Sequence, residues 1–420
     1  MTITIHRGTK QIGGCITEIA TANTRILIDL GSNLPGNDDE VDEFASKEAV
    51  AKLTQGVDAI FYTHYHGDHI GLFPYVDSGA VRQFIGPAAK EIEAIKLRAL
   101  LYHDPDKEAE LQQLESFETF EAGKYTDVGD IKVMPLYTSH SAFDAYMFVI
   151  EADGKRILHT GDFRAHGYFG KSITNPNPYK NVLQRFACNV DVLIMEGTML
   201  HRKDAVVHES EISNQMAAYM QDKNYVFVLC SSTDVDRIIS AYSACQKTRR
   251  MMLADRFQHK VIYKVKEYAK GENSILSFKR KIYYYHLNKP SQIVGEKFCG
   301  LVRPSQIKML SNYIDTLGKE NCYLIYSAWQ GYYNENLKAY NEDFVALRQL
   351  FNTENIIDIH TSGHADRATL ERVIEIVQPK EAIIGIHKES NASLKDLNLS
   401  EAMKAKIVGK DYCPDYIKGV

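Results

Sequence analysis

Three histidines and an aspartate crowd into one short stretch, His64-Tyr65-His66-Gly67-Asp68-His69. It follows an apolar run, Asp58-Ala59-Ile60-Phe61-Tyr62, which reads as a buried strand ending at a polar loop. Side chains two apart in extended chain point to the same side, so His64 and His66 can share one metal ion. Gly67 lets the chain turn, after which Asp68 and His69 can face a second ion nearby. Imidazole and carboxylate ligands suit zinc in the first place and accept manganese as well. Paired divalent ions can clamp the oxygens of a phosphodiester and lower the pKa of bound water to about 7. The chemistry offered is hydrolysis.

Such a cage needs further ligands, and the ends of rigid strands are where they are best fixed. His140 follows the β-run Val133–Tyr137 through Thr138-Ser139, Asp162 closes a hairpin strand in His159-Thr160-Gly161-Asp162, and His387 closes the buried run Ala382–Ile386. Each alone also reads as an ordinary strand-end polar residue. Hydrolysis further requires a proton for the leaving alkoxide. His364, preceded by Ser362-Gly363, is the candidate acid, and Glu196, after the apolar strand Asp191–Met195, is the candidate to orient or recharge it. The competing reading of His364 is a helix-entry residue capping its own turn. Ser231-Ser232-Thr233, between a strand and a helix start, and Ser362-Gly363 offer hydroxyls and backbone N–H groups suited to a substrate phosphate. Helix capping by serine and Asp234 explains the first of these stretches equally well.

The elements that must position these groups change character near Leu200. Before it, short β-runs alternate with turns: Cys15–Ile19 and Arg25–Asp29 joined through Asn23-Thr24, Ile131–Tyr137, and Tyr146–Ile150 with Arg156–Leu158 turned by Asp153-Gly154. A helix is expected over Ala88–Leu101. After it, strand-then-helix units imply a parallel sheet with covering helices. Tyr225–Cys230 leads into a helix at Val235–Cys245, Met251–Ala254 into one from about His259 to Lys270, and Cys322–Tyr326 is a third strand. Asp366 is placed as the N-cap of a helix carrying Leu370, Val373, Ile374 and Val377 at helical spacing, with Pro379 as its stop.

Hydrophobic content of 45% and charged content of 25% are those of an ordinary globular protein. No apolar stretch is long enough to span a bilayer, and the first residues lack a signal-peptide layout. Seven cysteines are scattered with no Cys-x-x-Cys pair. They read as reduced, buried thiols of a cytoplasmic protein, with no part in metal ligation. Net charge is −5 but unevenly placed: Gln246 to Leu310 holds fifteen basic and four acidic residues. This asymmetry points to a region that holds a polyanion. Within it, Lys279-Arg280-Lys281 beside Tyr283-Tyr284-Tyr285 interleaves charge and aromatics as single-strand binders do, although a half-buried strand has the same appearance.

The motif His64-Tyr65-His66-Gly67-Asp68-His69 resembles that of the metallo-β-lactamase superfamily. In that likeness His64, His66 and His140 hold one ion, Asp68, His69 and His387 hold the other, and Asp162 bridges them. Asp29 matches an aspartate that orients the histidine loop from behind. Glu196, His364 and His387 resemble, in kind and order, the added motifs of the β-CASP nucleases. Ile12-Gly13-Gly14, Thr63–Gly71, His159-Thr160-Gly161-Asp162-Phe163 and Ser362-Gly363-His364-Ala365 look like motifs of the ribonuclease J family within that group.

The resemblance implies an α/β architecture. A metallo-β-lactamase αββα sandwich would be formed by 1–200 and 354–420, with a β-CASP domain, a parallel sheet flanked by helices, inserted over 201–353. It implies a ribonuclease, exonucleolytic from the 5′ end or endonucleolytic, acting on single-stranded RNA. Asp68, Asp162, Glu196 and His364 would carry the chemical step, with hydroxide held between two metal ions as nucleophile. Tyr332-Tyr333-Asn334 stands where the family has glutamate-proline-methionine, and Lys388-Glu389 follows His387 where it has glycine. The chain also stops soon after His387, so a short relative without the family's C-terminal domain is expected, which leaves a homodimer open. The same centre would cut DNA, or a small phosphodiester or thioester. A nucleic-acid-binding protein with a silent site is disfavoured by the complete ligand set.

Overall fold

The apolar runs on both sides of the chain alternate their side chains, and in the computed structural model they build two seven-stranded sheets. The structure describes residues 1–34, 43–77, 79–202, 206–271, 274–409 and 411–413. The first sheet runs in the order Asp411–Tyr412, Thr2–Arg7, Ile16–Ala20, Arg25–Ile28, Ala59–Phe61, Arg82–Ile85, Glu118–Thr119. The second runs Ile407–Val408, Ala382–Ile386, Val192–Glu196, Lys155–His159, Ala145–Ala152, Ile131–Thr138, Thr126–Val128. Ile26, Ile28, Phe61 and Phe84 of one sheet meet Phe148, Ile150, Ile157, Ile194 and Ile384 of the other in a shared core. The outer face of the second sheet, with Val149, Leu158, Leu193 and Ile383, is covered by the helix Arg367–Val377 through Leu370, Val373, Ile374 and Val377. Asp366 caps that helix by accepting from Thr369 N at 3.0 Å. Asp153 and Gly154 both have positive φ, 47° and 71°, which closes the two-residue hairpin between Ala145–Ala152 and Lys155–His159.

These sheets belong to one compact unit, 1–204 with 363–420; residues 205–362 form another. The second unit has six strands, all parallel, in the order Ile282–Tyr284, Met251–Ala254, Phe298–Val302, Tyr225–Leu229, Cys322–Tyr326, Ile356–Asp358. Its central strand, Tyr225–Leu229, is buried along its whole length, as a parallel strand covered on both faces must be.

Two expectations about these elements need correction. The return to the first unit comes at Gly363 rather than at 354. Ile356–Asp358 pairs in parallel with Cys322–Tyr326, Leu324 opposite Ile356, and so completes the second unit's sheet. The helix expected from about His259 begins at Arg256 and ends at Lys266, because Asp255 and Gln258 form a reciprocal capping box that starts it one turn earlier. Among the described residues no helix is long and apolar enough to cross a membrane.

Candidate metal centre

Strand ends of the first unit deliver every ligand candidate to one place. Lys155–His159, Val192–Glu196 and Ala382–Ile386 are parallel neighbours, with His159 opposite Ile194 and Glu196 opposite Ile386. Asp162, Glu196 and His387 therefore emerge side by side from adjacent carboxyl ends. The loop after Ala59–Phe61 comes from the other sheet, and His66 caps the short helix Gly67–Ile70. His140 follows Ile131–Thr138.

Several overlapping groups of donor atoms result. Ligand atoms of His64, His66 and His140 lie within 4.8 Å of one another, as do those of His64, His69 and Asp162. Asp162, Glu196, His364 and His387 form a further group on the same criterion. Asp162 is central: its Oδ2 lies 3.1 Å from His69 Nε2, 3.5 Å from His387 Nε2 and 3.8 Å from His140 Nε2. Asp68 Oδ2 sits 3.1 Å from His387 Nε2 and 3.9 Å from His69 Nε2.

The histidines are held from behind. Asp29, fully buried, accepts from Thr63 N at 2.7 Å, from Thr63 Oγ1 at 2.9 Å and from His69 Nδ1 at 2.7 Å. A carboxylate only accepts, so His69 carries a proton on Nδ1 and turns Nε2 inward. His140 likewise gives Nδ1–H to the carbonyl of Gly363 at 2.7 Å. Thr198 Oγ1 lies 2.7 Å from His387 Nδ1. Asp29 and His387 both adopt left-handed backbone, φ 61° and 49°, the kind of strain that concentrates at functional sites.

Electrostatics divide this set of donors in the metal-free chain. Burial pushes His64 and His140 well below the ordinary imidazole value and His66 down to about 4, so all three are neutral donors. Burial works against the charge of Asp162 and Asp68, but the facing His387 and His69 outweigh it and hold both carboxyls below the usual range. His69 and His364 are shifted upward: burial opposes their charge, and it is overcome by Asp162 and Asp29 for His69 and by Glu196 and Asp162 for His364. His64 Nε2, His69 Nε2 and Asp162 Oδ1 are buried with no hydrogen-bond partner in the protein. Orphaned polar atoms cost roughly 1–3 kcal/mol each, and divalent cations held at this cluster would satisfy them. The residues fit divalent metal.

His364, its side chain 20% exposed, places Nδ1 2.9 Å from Glu196 Oε2 and 3.7 Å from Asp162 Oδ2. Glu196 is fixed in turn by Phe163 N, which donates to Oε1 at 2.9 Å. The backbone passes close here: a β-carbon on Gly363 would lie 2.8 Å from Ser141 Oγ.

Ser231, Ser232 and Ser362 belong to the second unit. Ser231 is exposed with its hydroxyl 3.1 Å from Thr233 Oγ1, Ser232 is buried and accepts from Gln258 Nε2 at 3.2 Å, and Asp234 caps Val235–Lys247. Sequence reasoning missed Thr198 and Cys15. Cys15 Sγ lies within 4.8 Å of ligand atoms of His69 and His387, and its burial pushes the thiol well above the usual value. The signal was the pair Gly13-Gly14, whose positive φ angles press the chain against Asp68; a β-carbon on Gly13 would sit 2.8 Å from Asp68 Oδ2.

Comparison with known proteins agrees with this architecture. The model of the β-lactamase superfamily domain matches residues 24–224. Ribonuclease J of Helicobacter pylori is 22% identical over 93% of this chain and 56% of its own length. An RNase J-like protein of Methanocaldococcus jannaschii is 28% identical over 37% of this chain and 35% of its own. Cleavage and polyadenylation specificity factor 73 of Drosophila melanogaster is 29% identical over 35% of this chain and 22% of its own. The chain thus spans little more than half the length of the ribonuclease J it matches. A solved structure of a protein of unknown function from Enterococcus faecalis superposes with a TM-score of 0.67 at 19% identity, covering 98% of this chain and 99% of that one. That likeness is one of fold.

Proposed function

We propose that this chain, a ribonuclease J-like protein of the metallo-β-lactamase and β-CASP group, is a metal-dependent nuclease that hydrolyses phosphodiester bonds of single-stranded RNA. The observation that carries the reading is the position of Asp162, which faces His69, His387 and His140 at 3.1 to 3.8 Å and His364 at 3.7 Å. One carboxylate thus joins both sets of ligands to the candidate acid.

In this reading His64, His66 and His140 would hold one divalent cation, Asp68, His69 and His387 would hold another, and Asp162 would be within reach of both sets of ligands. Zinc is the first candidate and manganese the second. When bound, such a pair supplies Lewis acidity to the phosphoryl oxygens and makes water a nucleophile near neutral pH. The protein's own part is positional. Asp29 and the Gly363 carbonyl fix the tautomers of His69 and His140. Glu196 accepts from His364 Nδ1 and keeps that ring protonated beside the leaving oxygen, to which His364 delivers its proton. Ser362 and Gly363, next to His364 in the chain, offer a phosphate contact.

The test uses purified protein with manganese or zinc on 5′-monophosphorylated and 5′-hydroxyl single-stranded RNA and on matched DNA, with Asp162→Ala as control. Release of nucleotides from monophosphorylated RNA alone supports 5′-exonuclease action, and internal fragments support endonuclease action. Equal cutting of DNA widens the substrate. Wild type and Asp162→Ala equally inert on every polymer would overturn the reading.

A further inference from the structure

The second unit carries a cavity of about 310 Å³ bordered by Tyr242, Arg249, Arg250, Arg280, Lys281 and Tyr283, and among the described residues no carboxylate lines it. Its place in the fold is distinct. Met251 opens the strand Met251–Ala254 and Lys281 immediately precedes Ile282–Tyr284, strands that pair in parallel. The cavity therefore lies at the amino ends of these strands, whereas Ser231 to Thr233 follow the carboxyl end of Tyr225–Leu229.

The four cations have different duties. Arg250 is buried and donates to the carbonyls of Phe298 at 3.2 Å, Lys223 at 3.1 Å and Met220, so its guanidinium is a fixed charge in the wall. Arg280 is anchored through its backbone N–H, which donates to Tyr242 Oη at 2.5 Å, while its guanidinium has only a 3.5 Å approach to the Gln246 carbonyl. Lys281 Nζ lies 4.8 Å from the centre of the Tyr283 ring. Elsewhere in the basic block Lys264 pairs with Glu267 and Arg303 with Asp255. Among the described residues none of the four cavity cations has such a partner.

Arg249 is the most telling. Helix Val235–Lys247 ends in paired bonds, Arg249 N to Gln246 O at 3.3 Å and Arg250 N to Cys245 O at 3.1 Å, which place Arg249 at φ 54°. This is the termination in which glycine is the usual occupant, because a β-carbon strains the left-handed backbone. An arginine at a position that favours glycine, exposed and bordering a cavity that no described carboxylate lines, calls for a ligand that takes guanidinium. Phosphate does so with two parallel hydrogen bonds, and a base can stack against tyrosine.

We infer that this cavity binds a nucleotide phosphate, carried by a single-stranded RNA or by a free nucleotide. The RNA form of the inference rests on the nuclease reading above. It gives the concentration of positive charge between Gln246 and Leu310 a specific site.

Binding of a short labelled oligouridylate is measured in EDTA across a salt series, with uridine monophosphate as competitor. The variants are Arg249→Gly, Arg280→Ala with Lys281→Ala, and a charge-matched control, Lys289→Ala with Lys308→Ala. The double variant in the cavity is expected to weaken binding about tenfold and to reduce the slope of log K against log salt by about 1.4, two single-strand phosphate contacts. Arg249→Gly is expected to weaken binding while its thermal midpoint stays level or rises, an outcome that a purely structural arginine would not give. Competition by uridine monophosphate at equal affinity assigns the phosphate to a free nucleotide, and competition by oligomer alone assigns it to a strand. Cavity variants that bind like wild type, or a control that loses as much, would overturn the inference. RNA that binds through the cavity but is never cut with metal present sinks the nuclease reading alone. Normal cutting with unchanged binding by the cavity variants sinks the cavity alone.

Discussion

Asp29→Asn isolates the tautomer argument at the centre. Asparagine keeps the shape of the side chain and tolerates the left-handed backbone at φ 61°. Its carbonyl oxygen can still accept from Thr63 N, 2.7 Å from Oδ1 in the native protein. The amide nitrogen, however, takes the place of Oδ2, which accepts from His69 Nδ1 at 2.7 Å and from Thr63 Oγ1 at 2.9 Å. An amide nitrogen only donates, so His69 must accept on Nδ1 and move its proton to Nε2. Nε2 is the atom that faces Asp162 Oδ2 at 3.1 Å, and once protonated it has no lone pair for a metal.

Loss of such a partner behind a ligand costs 10–100-fold in metal affinity, or about 1.4–2.7 kcal/mol. The fold loses less, because the new amide-to-imidazole hydrogen bond replaces part of a charge-assisted one worth about 1.5–3 kcal/mol. Competition with a chromophoric chelator measures the affinity, and thermal unfolding in EDTA measures the fold. The expected result is a large drop in zinc affinity with a small drop in midpoint. Asp29→Ala should lower both, since it also leaves Thr63 N without its acceptor. Zinc affinity of Asp29→Asn within about twofold of wild type would refute the reasoning that the carboxylate sets the ring's tautomer.

Four further outcomes follow from the geometry. His364→Ala should lower kcat by about 10²–10⁴-fold while metal analysis still finds two ions; loss of an ion would make His364 a ligand instead of an acid. Gly31→Ala should destabilise by about 3 kcal/mol or more, because the new β-carbon would lie 1.8 Å from the Asp68 carbonyl oxygen; chemical denaturation of metal-free protein reads the difference. Glu209→Ala should cost about 3–5 kcal/mol, since it leaves Arg237 buried without the carboxylate that now meets it at 3.0 Å with both side chains fully buried; an unchanged denaturation midpoint would contradict this. Glu18 gives a pH dependence. Burial raises its pKa, but the hydrogen bonds from His6 and Arg25 outweigh burial and bring it from 4.5 to about 2. A carboxyl depressed in the folded state stabilises above its unfolded pKa and loses that contribution as pH falls through the folded one. After allowance for solvent screening the contribution is about 1 kcal/mol. The stability gap between wild type and Glu18→Gln should therefore be constant at neutral pH and close between pH 4.5 and about 2.

What the sequence made legible was local, and what it hid was neighbourhood. The buried run before His64, the capping aspartate at 366 and the turn at Asp153-Gly154 could be read because their physics is completed within a few residues. The capping box at Asp255 and Gln258 is equally local, and it starts its helix a turn before His259. Ile356–Asp358 is different in kind: an apolar run looks the same whichever sheet adopts it, and only its pairing with Cys322–Tyr326 decides that it belongs to the second unit. The centre depends on the same nonlocal information. Glu196 meets His364 across 168 positions because its strand lies between Lys155–His159 and Ala382–Ile386, and nothing in the local spacing encodes that order. Thr198 and Cys15 escaped notice for a related reason. A threonine past a strand and a cysteine in an apolar run are ordinary residues until the fold sets one 2.7 Å from His387 Nδ1 and the other beside His69. Histidines and carboxylates advertise a metal centre by type, whereas the residues that decide which nitrogen carries a proton are legible only from the partners the fold brings them.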